Sequence, residues 1–311
     1  MTVHTSRTQE PGRVVIDHDR CVRCGRCVNL CSGLVLSMVD TGGPVQIDQQ
    51  RLFGCIGCGQ CMAACPQGCI QVEGREISPA DLLPLPPQEA RTAYEPLHAL
   101  LLARRSVRRF QARAVEREIV DQIIDASSTA PMGIPPSDVR LFVLDSREKV
   151  RQLSDDIAEV AKKSAWLFSP LANEVARPFI SKEDYELRKG FIHPMLQFLV
   201  EAHGQGENWI LYDAPLAMLF YGSPYSDPAD PYIAATYAML AGESLGLGTC
   251  MIGAAAPFIR YSDELQRKYG IEMKTAAALF VLFGYPEATY RRALRRTFAK
   301  VTFYGGNNAA D

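Results

Sequence analysis

The sequence predicts an α+β protein of two unequal parts, a small cysteine-rich module followed by a larger domain. Three observations predict it. Eight of the ten cysteines fall between Cys21 and Cys65. A proline-rich stretch without apolar period, Glu73–Glu95, follows them and reads as a linker. Beyond it, helical spacing of apolar residues alternates with short apolar runs to the C-terminus. The expected boundaries are 1–75 for the module, 76–95 for the linker and 96–311 for the domain. A length of 311 residues suits two domains at about 150 residues each. With 47% apolar and 22% charged residues, the composition excludes wholesale disorder and a collagen-like fibre.

Each element has its own signal. Val14–Ile16, Val35–Val39, Val45–Ile47 and Ile70–Val72 are short β-prone stretches flanking the cysteines. After the linker, Leu97, Leu100 and Leu101 repeat at helical spacing. Val115, Ile119, Val120, Ile123 and Ile124 do so again, in a helix that must stop before Pro131. Arg140–Asp145 reads as a strand and Glu148–Lys163 as an exposed helix. A helix over Leu187–His203 is expected within a mixed stretch. Ala214–Tyr221 and Ala276–Phe283 read as buried strands, and Tyr232–Leu245 as a mostly apolar helix. This alternation predicts one α+β domain. No apolar run approaches the roughly 18 residues of a membrane span, and the opening MTVHTSRTQE lacks the apolar stretch of a secretory signal. The expectation is a cytoplasmic protein that binds no membrane. A net charge of −2 argues against a nucleic-acid partner.

The cysteines carry the most information. CVRCGRCVNLC (Cys21–Cys31) and CIGCGQCMAAC (Cys55–Cys65) share the spacing C-x2-C-x2-C-x3-C, and every cysteine of the first recurs 34 residues later. Cytosolic thiols stay reduced, so dense cysteine there points to metal and not to disulfides. A zinc ribbon needs two C-x2-C pairs and has no use for a third cysteine in each run. Three cysteines at intervals of three let a short loop wrap a cubane and reach three of its irons. In two-cluster ferredoxins the fourth cysteine of each run serves the other cluster. Applied here, Cys21, Cys24, Cys27 and Cys65 hold one 4Fe–4S cluster, and Cys55, Cys58, Cys61 and Cys31 the second. Cys65 is followed by Pro66, as in the bacterial ferredoxin signature, whereas Cys31 is followed by Ser32. Cys69 reads as a small buried residue. The first 75 residues resemble a bacterial two-cluster ferredoxin, a small α+β module repeated about a pseudo-twofold axis.

Four features mark the larger domain: RRSVRRF (Arg104–Phe110), APMGIPP (Ala130–Pro136), GLGTCMIG (Gly246–Gly253) and GYPEATYRRALRR (Gly284–Arg296). Singly, each has a plain explanation, since arginine clusters are usually solvated faces and glycine-rich stretches usually turns. No G-x-G-x-x-G occurs, which argues against a separate nicotinamide-binding domain. Together and in this order the four resemble the nitroreductase family of FMN flavoproteins, over nearly all of the chain from Leu97 onward. A ferredoxin fused ahead of such a domain resembles a subgroup of that family.

The resemblance implies roles for particular residues. Arg104, Arg105 and Ser106 match the positions that hold the FMN phosphate, a dianion suited to guanidinium forks and a hydroxyl. Arg296, or else Arg292, would complete that site. Gly246–Ala254 would lay backbone amides of Met251, Gly253 and Ala254 against the isoalloxazine, with Gly253 nearest the reactive nitrogen. Pro131, Met132 and Gly133 match a loop that reaches the FMN of the partner subunit in an intertwined homodimer. Here Pro135, Ser137 and Val139 stand where the family has Asn, Gln and Trp. Cys250 reads as packing, and no catalytic group is assigned, His193 and His203 included. The expected function is an iron–sulfur flavoprotein oxidoreductase that passes electrons between two 4Fe–4S clusters and FMN to reduce a nitroaromatic, quinone or activated alkene. Its partners would be a small-molecule substrate and a ferredoxin-like electron carrier or NAD(P)H. The alternatives are an FMN-dependent dehydrogenase exporting electrons through the clusters, or an electron-transfer module with no substrate of its own.

Overall fold

The computed structural model describes residues 5 and 7–304. The N-terminal module contains β1 (Arg13–Ile16), α1 (Arg26–Asn29), β2 (Leu36–Ser37), β3 (Gln46–Ile47), α2 (Gln60–Ala64) and β4 (Ile70–Glu73). β1 pairs antiparallel with β4, Arg13 opposite Glu73, and β2 pairs with β3, Leu36 opposite Ile47. The duplication is visible in the backbone. Each helix follows a glycine in the left-handed region, Gly25 at φ 71° and Gly59 at φ 70°, where a side chain would be strained. The module's aliphatic core is small: Val14, Val35, Leu36, Val45, Met62, Ile70 and Val72, with the cysteines packed around it. A unit of this size buries little apolar surface, so bound metal is a natural source of the remaining stability.

From Gly74 to Ala93 the chain has only short 3₁₀ turns at Pro79–Asp81 and Gln88–Ala90. The larger domain then runs α3 (Tyr94–Ala103), α4 (Arg117–Ser128), β5 (Val139–Leu144), α5 (Arg147–Ser164), α6 (Pro170–Ala176), α7 (Lys182–Leu187), α8 (His193–Gly204), β6 (Leu216–Gly222), α9 (Asp230–Ser244), β7 (Gly248–Ile252), α10 (Ala256–Arg260), α11 (Asp263–Tyr269) and β8 (Ala278–Gly284). The sheet is antiparallel in the order β5-β6-β8-β7. Its central strands are buried at every position, and alternate residues serve opposite faces. Leu216, Met218 and Phe220 join Leu279, Val281 and Phe283 against α4 and α9. Ala217, Leu219 and Tyr221 join Ala278, Phe280 and Leu282 against α5, α10 and α11. Helices therefore cover both faces and leave β5 and β7 as edges.

Three elements differ from the sequence reading. GLGTCMIG contains an edge strand, β7, which its glycines disguised. The helix expected over Leu187–His203 is split, because a π-turn at Arg188–Ile192 separates α7 from α8 just before Pro194, which has no N–H to donate. α5 is not simply exposed: Val150, Leu153, Ile157, Ala158 and Ala161 bury one stripe. Among the described residues, no helix is long and apolar enough to cross a membrane.

Candidate functional site

Folding gathers the eight thiols into two groups. Cys21, Cys24, Cys27 and Cys65 line one hollow together with Cys69. Cys31, Cys55, Cys58 and Cys61 line another. Each group draws three thiols from one run and the fourth from the other. Among the described residues, no three His, Cys, Asp or Glu side chains converge on a position for a single metal ion. The thiols stand around the walls of these two hollows. Burial pushes the Cys61 thiol up to about 12 and raises Cys27 and Cys55 as well. Such thiols are weak acids alone, and coordination to a metal removes their protons.

Cys69 is closer to this chemistry than its position outside the runs suggests. Its Sγ lies 3.4 Å from Cys65 Sγ, and its backbone N–H also points to that sulfur at 3.4 Å. Burial pushes the Cys69 thiol up to about 12, with the neighbouring Cys65 adding to the effect. Burial acts against ionisation of Cys65 too, but the N–H and thiol of Cys69, together with the N–H groups of Gln67 and Ile70, outweigh it and draw Cys65 down. Cys69 is therefore placed to donate to the Cys65 sulfur.

In the larger domain, α3 ends at Ala103 and the next residues run beside β7. Ser106 bridges Thr249 in parallel, and Val107 N–H donates to Thr249 O at 2.9 Å. The approach depends on Gly248: a Cβ there would lie 2.6 Å from Val107 Cγ2. Arg104 and Arg105 are half-buried and Ser106 exposed. Arg104 faces Glu243 near the end of α9, whose carboxyl is raised by burial and lowered by that guanidinium. Arg108 sits 5.7 Å from the centre of the Tyr212 ring. Cys250 is fully buried; burial raises its thiol despite Arg108 and Arg104, which marks it as packing. Thr249 Oγ1 is buried without a hydrogen-bond partner beside this segment. Two guanidinium groups and a hydroxyl on a strand edge fit a phosphate dianion.

The remaining sequence candidates are distributed around this edge. Met251, Gly253 and Ala254 are exposed at the far end of β7, and a Cβ on Gly253 would meet only open space. Arg292 and Arg296 lie in the extended, exposed segment after β8, and neither forms an ion pair among the described residues. Tyr290 of that segment does reach Arg105, its ring centre 6.0 Å from the guanidinium. Pro131, Met132 and Gly133 are exposed, with Gly133 N–H donating to Asp230 Oδ1 at 3.1 Å. That loop leads into β5, on the opposite edge of the sheet from β7, three strand spacings or about 14 Å away.

Beyond Ile252 lies a cavity that the sequence reading missed. Its volume is about 190 Å³, smaller than the roughly 300–1,000 Å³ of typical small-molecule sites, and it opens to solvent. Phe198, Trp209, Tyr212, Ile252, Ala254 and Phe258 are among its walls. The Trp209 ring packs edge-on against Phe198 at 5.3 Å and Tyr212 at 5.8 Å. Tyr212 and Asp213 have φ of 53° and 47°, a strained conformation for such residues. Asp213 is fixed there by Arg151 at 2.8 Å and Asn208 at 2.7 Å. The available signal was Asn208, whose side-chain oxygen accepts from the N–H groups of Ile210 and Leu211 and so starts a tight turn.

A three-layer α+β domain with an arginine-lined edge strand, preceded by a module of paired cysteine groups, defines an oxidoreductase with an iron–sulfur domain. Residues 101–285 match the nitroreductase family model, and residues 20–70 match that of a 4Fe–4S dicluster domain. The chain belongs to the nitroreductase family. Its N-terminal part is similar to Ferredoxin-3 of Nostoc sp., 31% identical over 68 residues that cover 17% of this chain and 70% of that protein. Among solved structures it is similar to a nitroreductase with bound FMN from Bacteroides fragilis, at 18% identity over 67% of this chain and 97% of that one, TM-score 0.49. A nitroreductase with bound FMN from Desulfitobacterium hafniense is similar at 17% identity over 68% and 99%, TM-score 0.46.

Proposed function

We propose that the chain holds two 4Fe–4S clusters and one FMN, works as a homodimer, and passes electrons from the clusters to a small organic acceptor such as a nitroaromatic, quinone or activated alkene. The observation that carries this reading is one edge strand, β7, with Arg104–Ser106 along its start and an aromatic cavity at its end. Bound there, FMN would supply two-electron exchange with organic molecules and one-electron exchange with clusters. Arg104, Arg105 and Ser106 grip its phosphate, with Arg296 or Arg292 from the trailing segment. Met251, Gly253 and Ala254 give its ring a shelf without bulky side chains except Met251. The aromatic walls of the cavity offer a flat substrate an apolar face beside that shelf. Among the wall residues Tyr212 alone titrates, and burial raises its hydroxyl.

The homodimer rests on the loop at Pro131–Gly133. It stands about 14 Å across the sheet from β7 of its own chain, so its family role is met against a partner's flavin. Cys21, Cys24, Cys27 and Cys65 hold one cluster and Cys31, Cys55, Cys58 and Cys61 the other. An anaerobic visible spectrum recorded during titration with NADH, then with a reduced ferredoxin, tests cofactor content and donor together. The flavin absorbance is expected to bleach with the reduced ferredoxin. Protein purified without any flavin would leave only the reading as an electron-transfer module.

A further inference from the structure

The two cysteine groups are related by sequence duplication but not by environment. Arg75, just after β4, is 4% exposed. Its Nε donates to Ile56 O at 3.0 Å, inside the loop between Cys55 and Cys58. Its Nη1 donates to Glu10 O at 3.2 Å, and its Nη2 crosses to the larger domain to donate to Pro135 O at 2.6 Å. Its side chain packs so closely on the same loop that a Cβ on Gly57 would lie 3.1 Å from Arg75 Cβ. Gly57 N–H in turn points to Cys55 Sγ at 3.4 Å. The equivalent position in the first repeat, 34 residues earlier, is Thr41, exposed and uncharged. Arg20, Arg23 and Arg26 lie near the other group, but all three are exposed, so water and salt screen them. Cys24 there is exposed as well.

Resting on the reading that both groups hold 4Fe–4S clusters, we propose that Arg75 makes the Cys31–Cys55–Cys58–Cys61 centre the inner relay. It holds that centre's loop against the 130–136 segment of the nitroreductase domain, and its buried positive charge stabilises the centre's more negative, reduced form. A cation buried beside an anionic cluster raises the reduction potential, because charge, burial and hydrogen bonding set that potential. Burial draws the Arg75 pKa down while nearby Cys55 holds it up, and a guanidinium stays charged at any physiological pH. The centre of Cys21, Cys24, Cys27 and Cys65 is then the outer port, with the lower potential. One electron leaves the outer centre, which is oxidised, and arrives on the inner one, which is reduced. Exposed Cys24 and its arginine neighbours suit the outer port to an acidic one-electron carrier.

Anaerobic redox titration of the full chain followed by EPR tests this. In wild type the signal that appears at the higher potential must be altered by Cys58→Ser and untouched by Cys24→Ser. Arg75→Met is expected to lower the reduced-to-oxidised ratio of that centre about tenfold at fixed potential, a shift of about 59 mV for one electron, and to leave the other centre unchanged. Arg75→Lys keeps the charge and is expected to restore most of the shift. Unchanged potentials in Arg75→Met, or a higher-potential signal that responds to Cys24→Ser, overturns the assignment. If Arg75→Met loses iron, the wild-type order read from the two cysteine variants decides alone. Iron near four per chain instead of eight would sink the two-cluster reading itself.

Discussion

At the scale of single residues, the two most informative positions are a sulfur and a guanidinium. Cys65 is the proposed crossed ligand of the group formed by Cys21, Cys24 and Cys27, but Cys69 Sγ stands only 3.4 Å from it. A single Cys65→Ala leaves a thiol close enough to take its place, so the variant to make is Cys65→Ala with Cys69→Ala. It should lose about half the iron and the EPR signal of that centre, while the signal perturbed by Cys58→Ser persists. Loss of the Cys58-dependent signal instead would show that ligation is not crossed. For Arg104, a charge-assisted contact to phosphate contributes about 1.5–3 kcal/mol, so Arg104→Ala should weaken FMN binding about ten- to hundredfold in a flavin-release titration. Unchanged affinity removes Arg104 from the site.

At the scale of elements, the proposed flavin site rests on β7. Its start is clamped to the arginine segment through Gly248, where a Cβ would lie 2.6–2.9 Å from the Val107 side chain. Gly248→Val must push Val107 and the residues before it away from the strand. Overpacking of this kind costs about 1–3 kcal/mol, which lowers Tm by about 2–4 °C per kcal/mol and should weaken FMN binding too. Gly246→Ala is the contrast. Its φ of 82° makes a side chain strained there, but no neighbour lies within 4 Å, so stability should fall with flavin affinity retained. Equal flavin loss in both variants would mean that the clamp is not what positions Arg104 and Ser106.

The same strand shows what sequence patterning can and cannot carry. β6 and β8 were legible because seven consecutive positions in each are buried. β7 pairs only with β8, and glycine at its start and exposed Met251 near its end erase the pattern of a buried strand. The cysteine groups were legible because ligand spacing is local and repeats. The cavity was not, because its wall comes from α8, the turn after it and the far end of β7, which meet only through tertiary packing. Arg75 was silent for the same reason: among its partners are carbonyls at residues 10, 56 and 135.

At the scale of the whole molecule, the question is why one chain carries both parts. A flavin domain that takes hydride from NAD(P)H would gain little from two attached clusters. They matter when the donor delivers one electron at a time, or when the acceptor needs a lower potential than nicotinamide supplies. Ferredoxin-type clusters can sit near −400 mV, although their surroundings move them widely. Here the module is tied to the larger domain by Arg75 at Pro135 and by Arg7, which donates to Ser137 O at 3.1 Å. Both anchors lie on the segment that carries Pro131–Gly133, the loop assigned to a partner's flavin. The clusters of one chain are therefore expected to serve the flavin that this loop approaches. A variant with Cys24→Ser and Cys58→Ser should keep FMN, which dithionite still bleaches, yet lose turnover with reduced ferredoxin. In heterodimers of this variant with a chain carrying Arg104→Ala, the intact clusters lie on one chain and the intact flavin site on the other, so turnover with reduced ferredoxin should persist, and its loss would show that each chain's clusters serve its own flavin. If the cluster variant turns over as fast as wild type with NAD(P)H as sole donor, the clusters are not part of the catalytic path, and the direction of electron flow proposed above is wrong.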